Sequence, residues 1–447
     1  MLGQRGIRIK WGRGISRRLG VVLLGLGLGI WATSARGELP IDREPIDYHN
    51  APVHDPVARL QERLDRGEVT LRYDDKNGYL ASVLEQLGIS PTSQMLVFSK
   101  TSFQHTRIAP KTPRAVYFGD DAYVGWVRGG DVIEIAAVDP RQGATFYLLD
   151  QQKADRPAFI RQTETCLQCH ASPKTQDVPG HLVRSVFPDR TGLPVFRAGS
   201  FVTSHESPLA ERWGGWYVTG THGEQRHMGN VVVTDPEHPE QLDKDAGANV
   251  TDLAGRVDTW PYLTPHSDIV ALMVLEHQTQ MHNYITLANY QTRLALHSEA
   301  AINQALHRPA DAISPSTERR IRNAAEKVVK YLLFAHEAPL TSKITGTSDF
   351  AREFSARGPF DQRGRSLRQF DLERRLFRYP CSYLIYSEAF DTLPQPAKNH
   401  IYRRLREVLT GQDQSPDFAH LSSEDRRAIL EILLATKPGL PDDWKTP

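Results

Sequence analysis

The residues best suited to chemistry lie together in one pentapeptide, Cys166-Leu167-Gln168-Cys169-His170. Two cysteines three apart stand one above the other on a helical turn, so both sulfurs reach the same side. The C-x-x-C-H order matches the pattern by which a porphyrin is held through two thioether bonds, with the following imidazole swung over the ring as a strong neutral iron ligand. Two other chemistries use such a pair. A structural zinc site needs four N or S ligands, and beyond the pentapeptide only Cys381 remains. A thioredoxin-like redox pair opens a helix after a strand of an α/β unit, and the preceding 156–165 stretch does not read as a strand.

On these five residues the chain resembles the c-type cytochromes. The resemblance implies one covalent haem c, thioether attachment at Cys166 and Cys169, and His170 as the proximal iron ligand. The rest of the chain differs from that family's small helical domain, because the motif lies between strand-like runs. The other side of the iron decides function, since a second protein ligand favours electron transfer and an open position admits peroxide or gases. Met228, in the loop Thr221-His222-Gly223-Glu224-Gln225-Arg226-His227-Met228-Gly229, is the expected second ligand, with His222 and His227 as competitors. The same loop would serve a peroxidase-type oxidoreductase through His222, Arg226 and His227. A third reading is a haem-based sensor, because short antiparallel strands bearing a covalent haem are similar to PAS-like haem c domains. The function expected is electron transfer with a redox partner protein.

Other reactive residues read as structural. Met273, His277 and Met281 recur every four residues on a long helix, a spacing that packs against neighbouring helices or walls a pocket. Cys381 has no partner cysteine left and is expected to be a buried apolar thiol. The arginines at 363–368 and at 374 and 375 alternate with acids and read as a salt-bridged or solvated face.

The elements that must position these residues change character along the 447-residue chain. Arg5 to Arg18 supply a basic flank to an apolar and glycine run of 14 residues from Leu19 to Ala32. That run is shorter than the roughly 17–25 residues of a spanning helix, and small residues follow it, which is the order of a signal peptide over 1–37. The body is then expected to be periplasmic or exported, and membrane-attached only if the segment stays uncleaved. Removing 1–37 leaves 47 Lys and Arg against 53 Asp and Glu, a mildly acidic chain that argues against nucleic acid as partner.

A proline-containing arm spans 38–68, with a helix expected at 57–65. A β-rich haem domain spans 69–265, with strands expected at 95–98, 115–118, 123–127, 132–138, 145–149, 183–187, 195–202, 216–219 and 231–234. A helical domain spans 266–447, with helices expected at 268–307, 317–336, 350–356, 366–377, 397–409 and 423–435. Ser422 and Asp425 supply a start signal for the last. The fold class expected is α+β, a β-rich antiparallel half followed by an all-helical C-terminal half.

Overall fold

The computed structural model describes residues 40–445, so the segment expected to be a signal peptide, 1–37, lies outside the described residues. The fold is α+β. Its centre is a six-stranded antiparallel meander, β1 (Met95–Val97), β2 (Arg114–Phe118), β3 (Ala122–Val127), β4 (Val132–Asp139), β5 (Gly143–Asp150) and β6 (Phe159–Arg161), paired in chain order. Its two faces are both apolar and take different partners, as period-2 alternation requires. Leu96, Tyr117, Val124, Trp126, Ile135 and Leu149 pack on one side with α1 (Pro56–Asp65) and α2 (Leu80–Gln86). Met95, Val116, Phe118, Tyr123 and Val138 pack on the other with the helical half. Asp55 fixes the arm by capping α1, and its second oxygen accepts from Tyr147 at 2.5 Å and Thr145 at 3.0 Å.

Two smaller pairs follow the sheet, β7 (Arg184–Val186) with β8 (Ser200–Val202), and β9 (Gly220–Thr221) with the later β10 (Thr345–Gly346). Between β6 and β7 stands the single turn α3 (Leu167–His170). The helical half contains α4 (Ile269–Ala305), α5 (Pro315–Leu332), α6 (Phe350–Ala356), α7 (Glu388–Asp391), α8 (Gln395–Leu409) and α9 (Ser423–Thr436). The cap at Ser422 and Asp425 forms reciprocally, as expected from the sequence. Among the described residues no helix is long and apolar enough to cross a membrane.

Helix α4 joins the halves. Its 37 residues are buried on most sides, and three of its polar side chains are spent on the backbone of the sheet's turns. Gln278 donates to the Gly119 carbonyl at 2.8 Å, His282 pairs with the Asp120 carbonyl at 2.9 Å, and the Tyr290 hydroxyl donates to the Gln142 carbonyl at 2.8 Å. Asp268, fully buried, starts the helix: one oxygen accepts from Val270 and Ala271, and the other from the Thr347 and Ser348 amides at 2.8 Å. Asp268→Ala is therefore expected to remove a cap worth about 1 kcal/mol and to leave the part-buried amides of Thr347 and Ser348 without that acceptor, at up to about 1 kcal/mol each. A fall in the urea midpoint at constant m-value would register this.

Several expected elements differ. The 216–219 run is no strand: the side-chain amide of Asn230 takes the place of a neighbour, accepting from Val218 N–H and donating to Val218 O, each at 2.8 Å. Val231 to Thr234 form no strand either, and the 195–202 run is broken by a 3-10 turn at Phe196–Ala198, leaving only β8. The 366–377 helix is absent. There Asp371 accepts from the Glu373 and Arg374 amides at 2.9 and 2.8 Å, and Leu372 takes φ +59°. An aspartate that satisfies the turn amides two and three residues on competes with a helix. Finally, Phe159–Arg161 does form a strand, β6, against the expectation for 156–165. A three-residue edge strand is too short to carry an alternating pattern.

Candidate functional site

The helical turn at α3 places the three motif residues as their spacing implies. The amides of Cys169 and His170 donate to the Cys166 carbonyl at 3.3 and 3.0 Å, and Leu167, 2% exposed, pins the turn to the core. Cys166 is half-buried and Cys169 exposed, both as free thiols. Burial, reinforced by the nearby Glu134 and Cys169, pushes the Cys166 thiol up to about 11. A redox-active C-x-x-C pair needs the opposite shift. The strand before the motif is also an antiparallel edge strand, not a member of an α/β unit.

His170 is fixed from behind. Its Nδ1–H donates to the Gly180 carbonyl at 2.8 Å, so the lone pair is on Nε2, and the Gly180 amide returns a bond to the His170 carbonyl at 2.8 Å. Burial lowers its basicity, and the Gly180 carbonyl opposes that, so the ring is neutral at pH 7, the form that binds metal. Thr175 donates to the same His170 carbonyl at 3.2 Å, and Ser172 to that of Cys169 at 3.0 Å. The ring lies 4.8 Å from that of Phe146 on β5, at 50°. Arg114 on β2 and Glu134 on β4, paired at 2.9 Å, act electrostatically on the motif. Gly125 separates them on β3, where a Cβ would meet the Arg114 guanidinium at 2.1 Å. The donor set is compatible with covalent porphyrin attachment: two thiols lie within one turn, and the Gly180 carbonyl fixes the tautomer of a neutral imidazole so that its Nε2 carries the lone pair.

Met228 is 1% exposed and its sulfur accepts from the Ser185 hydroxyl at 3.7 Å. It packs with Val231, Val233 and Leu242, and with Phe187, Val195 and Phe201, a set distinct from the Phe146, Thr175 and Gly180 contacts of His170. The loop histidines lie 4.7 Å apart edge to face. His222 Nε2 accepts from the Asn249 amide and His227 Nδ1 from the Gly229 amide, each at 3.0 Å. A backbone amide can only donate, so each ring spends its basic nitrogen there. Arg226 pairs with Asp245 at the surface.

Met273, His277 and Met281 are buried in the helical core, as the packing account expects. His277 meets His205 at 2.8 Å and Ser382 at 2.7 Å, and stacks on Phe334 at 4.3 Å. Cys381 is fully buried, and burial pushes its thiol up to about 12. The arginines are salt-bridged: Arg365 to Asp361 and Glu431, Arg368 to Asp120, Arg375 to Asp425. They lie in loops, not on a helix face.

Sequence reasoning missed Gly180, His181 and Asn283. The turn pair Pro179-Gly180 was the available sign; nothing ties it to a residue on α4 that lies 102 positions beyond His181. Among the described residues no three His, Cys, Asp or Glu gather as a metal cluster; a haem iron, held by its porphyrin, needs only one or two protein ligands. Comparison of the chain with protein-family models, curated proteins and solved structures finds no match.

Proposed function

We propose that this chain is an exported mono-haem c-type cytochrome that carries electrons to or from a redox partner protein. One observation carries the reading. Cys166, Cys169 and His170 share one helical turn, and the His170 Nδ1–H is committed to the Gly180 carbonyl, which presents Nε2 as an iron ligand. Cys166 and Cys169 would hold the haem covalently, and His170 would supply the proximal ligand. The bound haem supplies a one-electron iron couple. The chain's own contribution is a neutral, oriented imidazole beside the wall of Phe146. The basic and apolar N-terminal segment supports export, with membrane attachment only if it is retained.

Met228 is the candidate second ligand in this reading, but like its competitors it is engaged elsewhere: its sulfur accepts from Ser185 and its side chain is buried with Val231, Val233 and Leu242, so it would have to leave that cluster to reach iron. His222 and His227 would have to release the amides of Asn249 and Gly229. The test is an optical spectrum, oxidised and reduced, with and without carbon monoxide. The unmutated protein is expected to be six-coordinate, low-spin and indifferent to carbon monoxide, and Met228→Ala is expected to alter the spectrum and admit the ligand. Prompt carbon monoxide binding by the unmutated protein would contradict the carrier and favour sensing or catalysis.

A further inference from the structure

We propose that Asn283 of α4 is the positioning residue for His170, acting through the backbone of Gly180 and His181; this rests on the haem reading above. Asn283 is 1% exposed. Its Oδ1 accepts the His181 amide at 2.8 Å and its Nδ2 donates to the His181 carbonyl at 2.7 Å. One side chain thus gives His181 both bonds that a neighbouring strand would give. The residue before it, Gly180, accepts the Nδ1–H of His170 at 2.8 Å, and the residue before that, Pro179, accepts the Ala144 amide of β5 at 3.0 Å. The carbonyl that orients the imidazole is therefore held between the sheet and α4, although it lies in a loop.

Glycine is required there by contact. A Cβ at position 180 would lie 2.3 Å from Asn283 Oδ1 and 3.0 Å from the Thr175 Cβ. The ring of His181 packs 4.4 Å from Tyr123 and 6.3 Å from Phe146, with its Nε2 buried and without a hydrogen-bond partner.

An imidazole whose Nδ1–H is held by a fixed carbonyl is a stronger donor and favours the oxidised iron. Releasing the carbonyl weakens that donation and raises the reduction potential. The clasp also gives the C-terminal half a defined role, because α4 belongs to that half and holds the loop that bears on the ligand.

The experiment uses the haem-loaded full chain. Asn283→Ala and Gly180→Ala are compared with Tyr290→Phe, which lies two turns along the same helix and loses only its bond to the Gln142 carbonyl. Covalent haem content, reduction potential and the ferric electron paramagnetic resonance spectrum are measured for each. Both clasp variants are expected to keep covalent haem and to shift the oxidised-to-reduced equilibrium at least tenfold toward reduced iron, ~59 mV for one electron. Tyr290→Phe is expected to lose stability without that shift. Haem-loaded Asn283→Ala with an unchanged potential and spectrum would overturn the proposal. Should the clasp variants fail to fold, hydrogen exchange in the unmutated protein decides: the His181 amide is expected to be protected to near the global unfolding limit, and rapid exchange would overturn the clasp. Absence of covalent haem from the unmutated protein is a separate failure, of the haem reading itself.

Discussion

Replacing both Cys166 and Cys169 by alanine is expected to abolish covalent haem, so that denatured protein carries no haem absorbance, while the apoprotein keeps its fold. The two thiols lie at the surface end of the site, one half-buried and one exposed, and neither bonds another protein sulfur. Their removal costs the core little. His170→Ala is expected to separate attachment from ligation: thioether attachment would remain, and the iron would lack its proximal imidazole and a low-spin spectrum. The thiols are not interchangeable in the fold. Cys166 sits beside Leu167, which anchors the turn, so Cys166→Ala is expected to lower stability slightly more than Cys169→Ala. Thermal melts of the apoproteins would show the difference, and haem quantified after denaturation would show the loss.

Arg212→Ala is expected to destabilise the fold by about 3–5 kcal/mol, the usual consequence of stranding one member of a buried ion pair. Arg212 is 3% exposed and its partner Glu276 on α4 is fully buried, at 3.1 Å. The guanidinium also donates to the carbonyls of His205 and Ser207 at 3.0 and 2.6 Å. The pH dependence follows from the acid. Burial pushes Glu276 up to about 7, with Arg212 opposing, against 4.5 for the free group. An acid whose folded value is raised binds an extra proton in the folded state between those two values. Its contribution to stability is present below pH 4.5 and lost as pH rises through 7. Removing Arg212 raises the folded value further, so the penalty grows with pH. Urea midpoints are expected to separate more at pH 8 than at pH 5.5, and Arg212→Met with Glu276→Leu is expected to recover much of the loss.

The buried histidines act in the opposite direction. Burial lowers His227 and His277 to about 3 and His282 to about 4, against 6.5 in the free group. Their neutral forms belong to the folded state, so their contribution is present above pH 6.5 and lost as pH falls toward 4. Acid unfolding of the apoprotein is therefore expected to begin below about pH 6, measurable as a falling urea midpoint between pH 6.5 and 4.

The α+β division was legible because its signals are local. Five sheet strands were found nearly at their ends, since Tyr, Val, Ile and Trp alternate between turns such as Gly119-Asp120-Asp121 and Gly129-Gly130-Asp131. Helices α4, α8 and α9 follow from their period, and α9 also from its cap at Ser422 and Asp425. The failures are of one kind. Where a side chain stands in for a neighbouring strand, as Asn230 does for Val218, or satisfies a turn, as Asp371 does, hydrophobic runs look like regular elements and are not. The site divides in the same way. Cys166, Cys169 and His170 are contiguous, so their spacing exposes them. The clasp on His170 is made by Gly180 and Asn283, which meet only through the packing of α4 over the sheet. Helix α4 buries polar side chains as well as apolar ones, because Gln278, His282 and Tyr290 reach the turns of the sheet and Glu276 and His277 reach buried partners.

The most direct test is the intact mass and the denatured absorbance of the chain produced in a host that attaches haem c and in the same host without the attachment system. The result expected is one haem per chain, resistant to denaturation, only in the first case, and lost in the Cys166 and Cys169 double variant. A chain that matures, folds and carries no covalent haem in the first host would contradict the account at its centre.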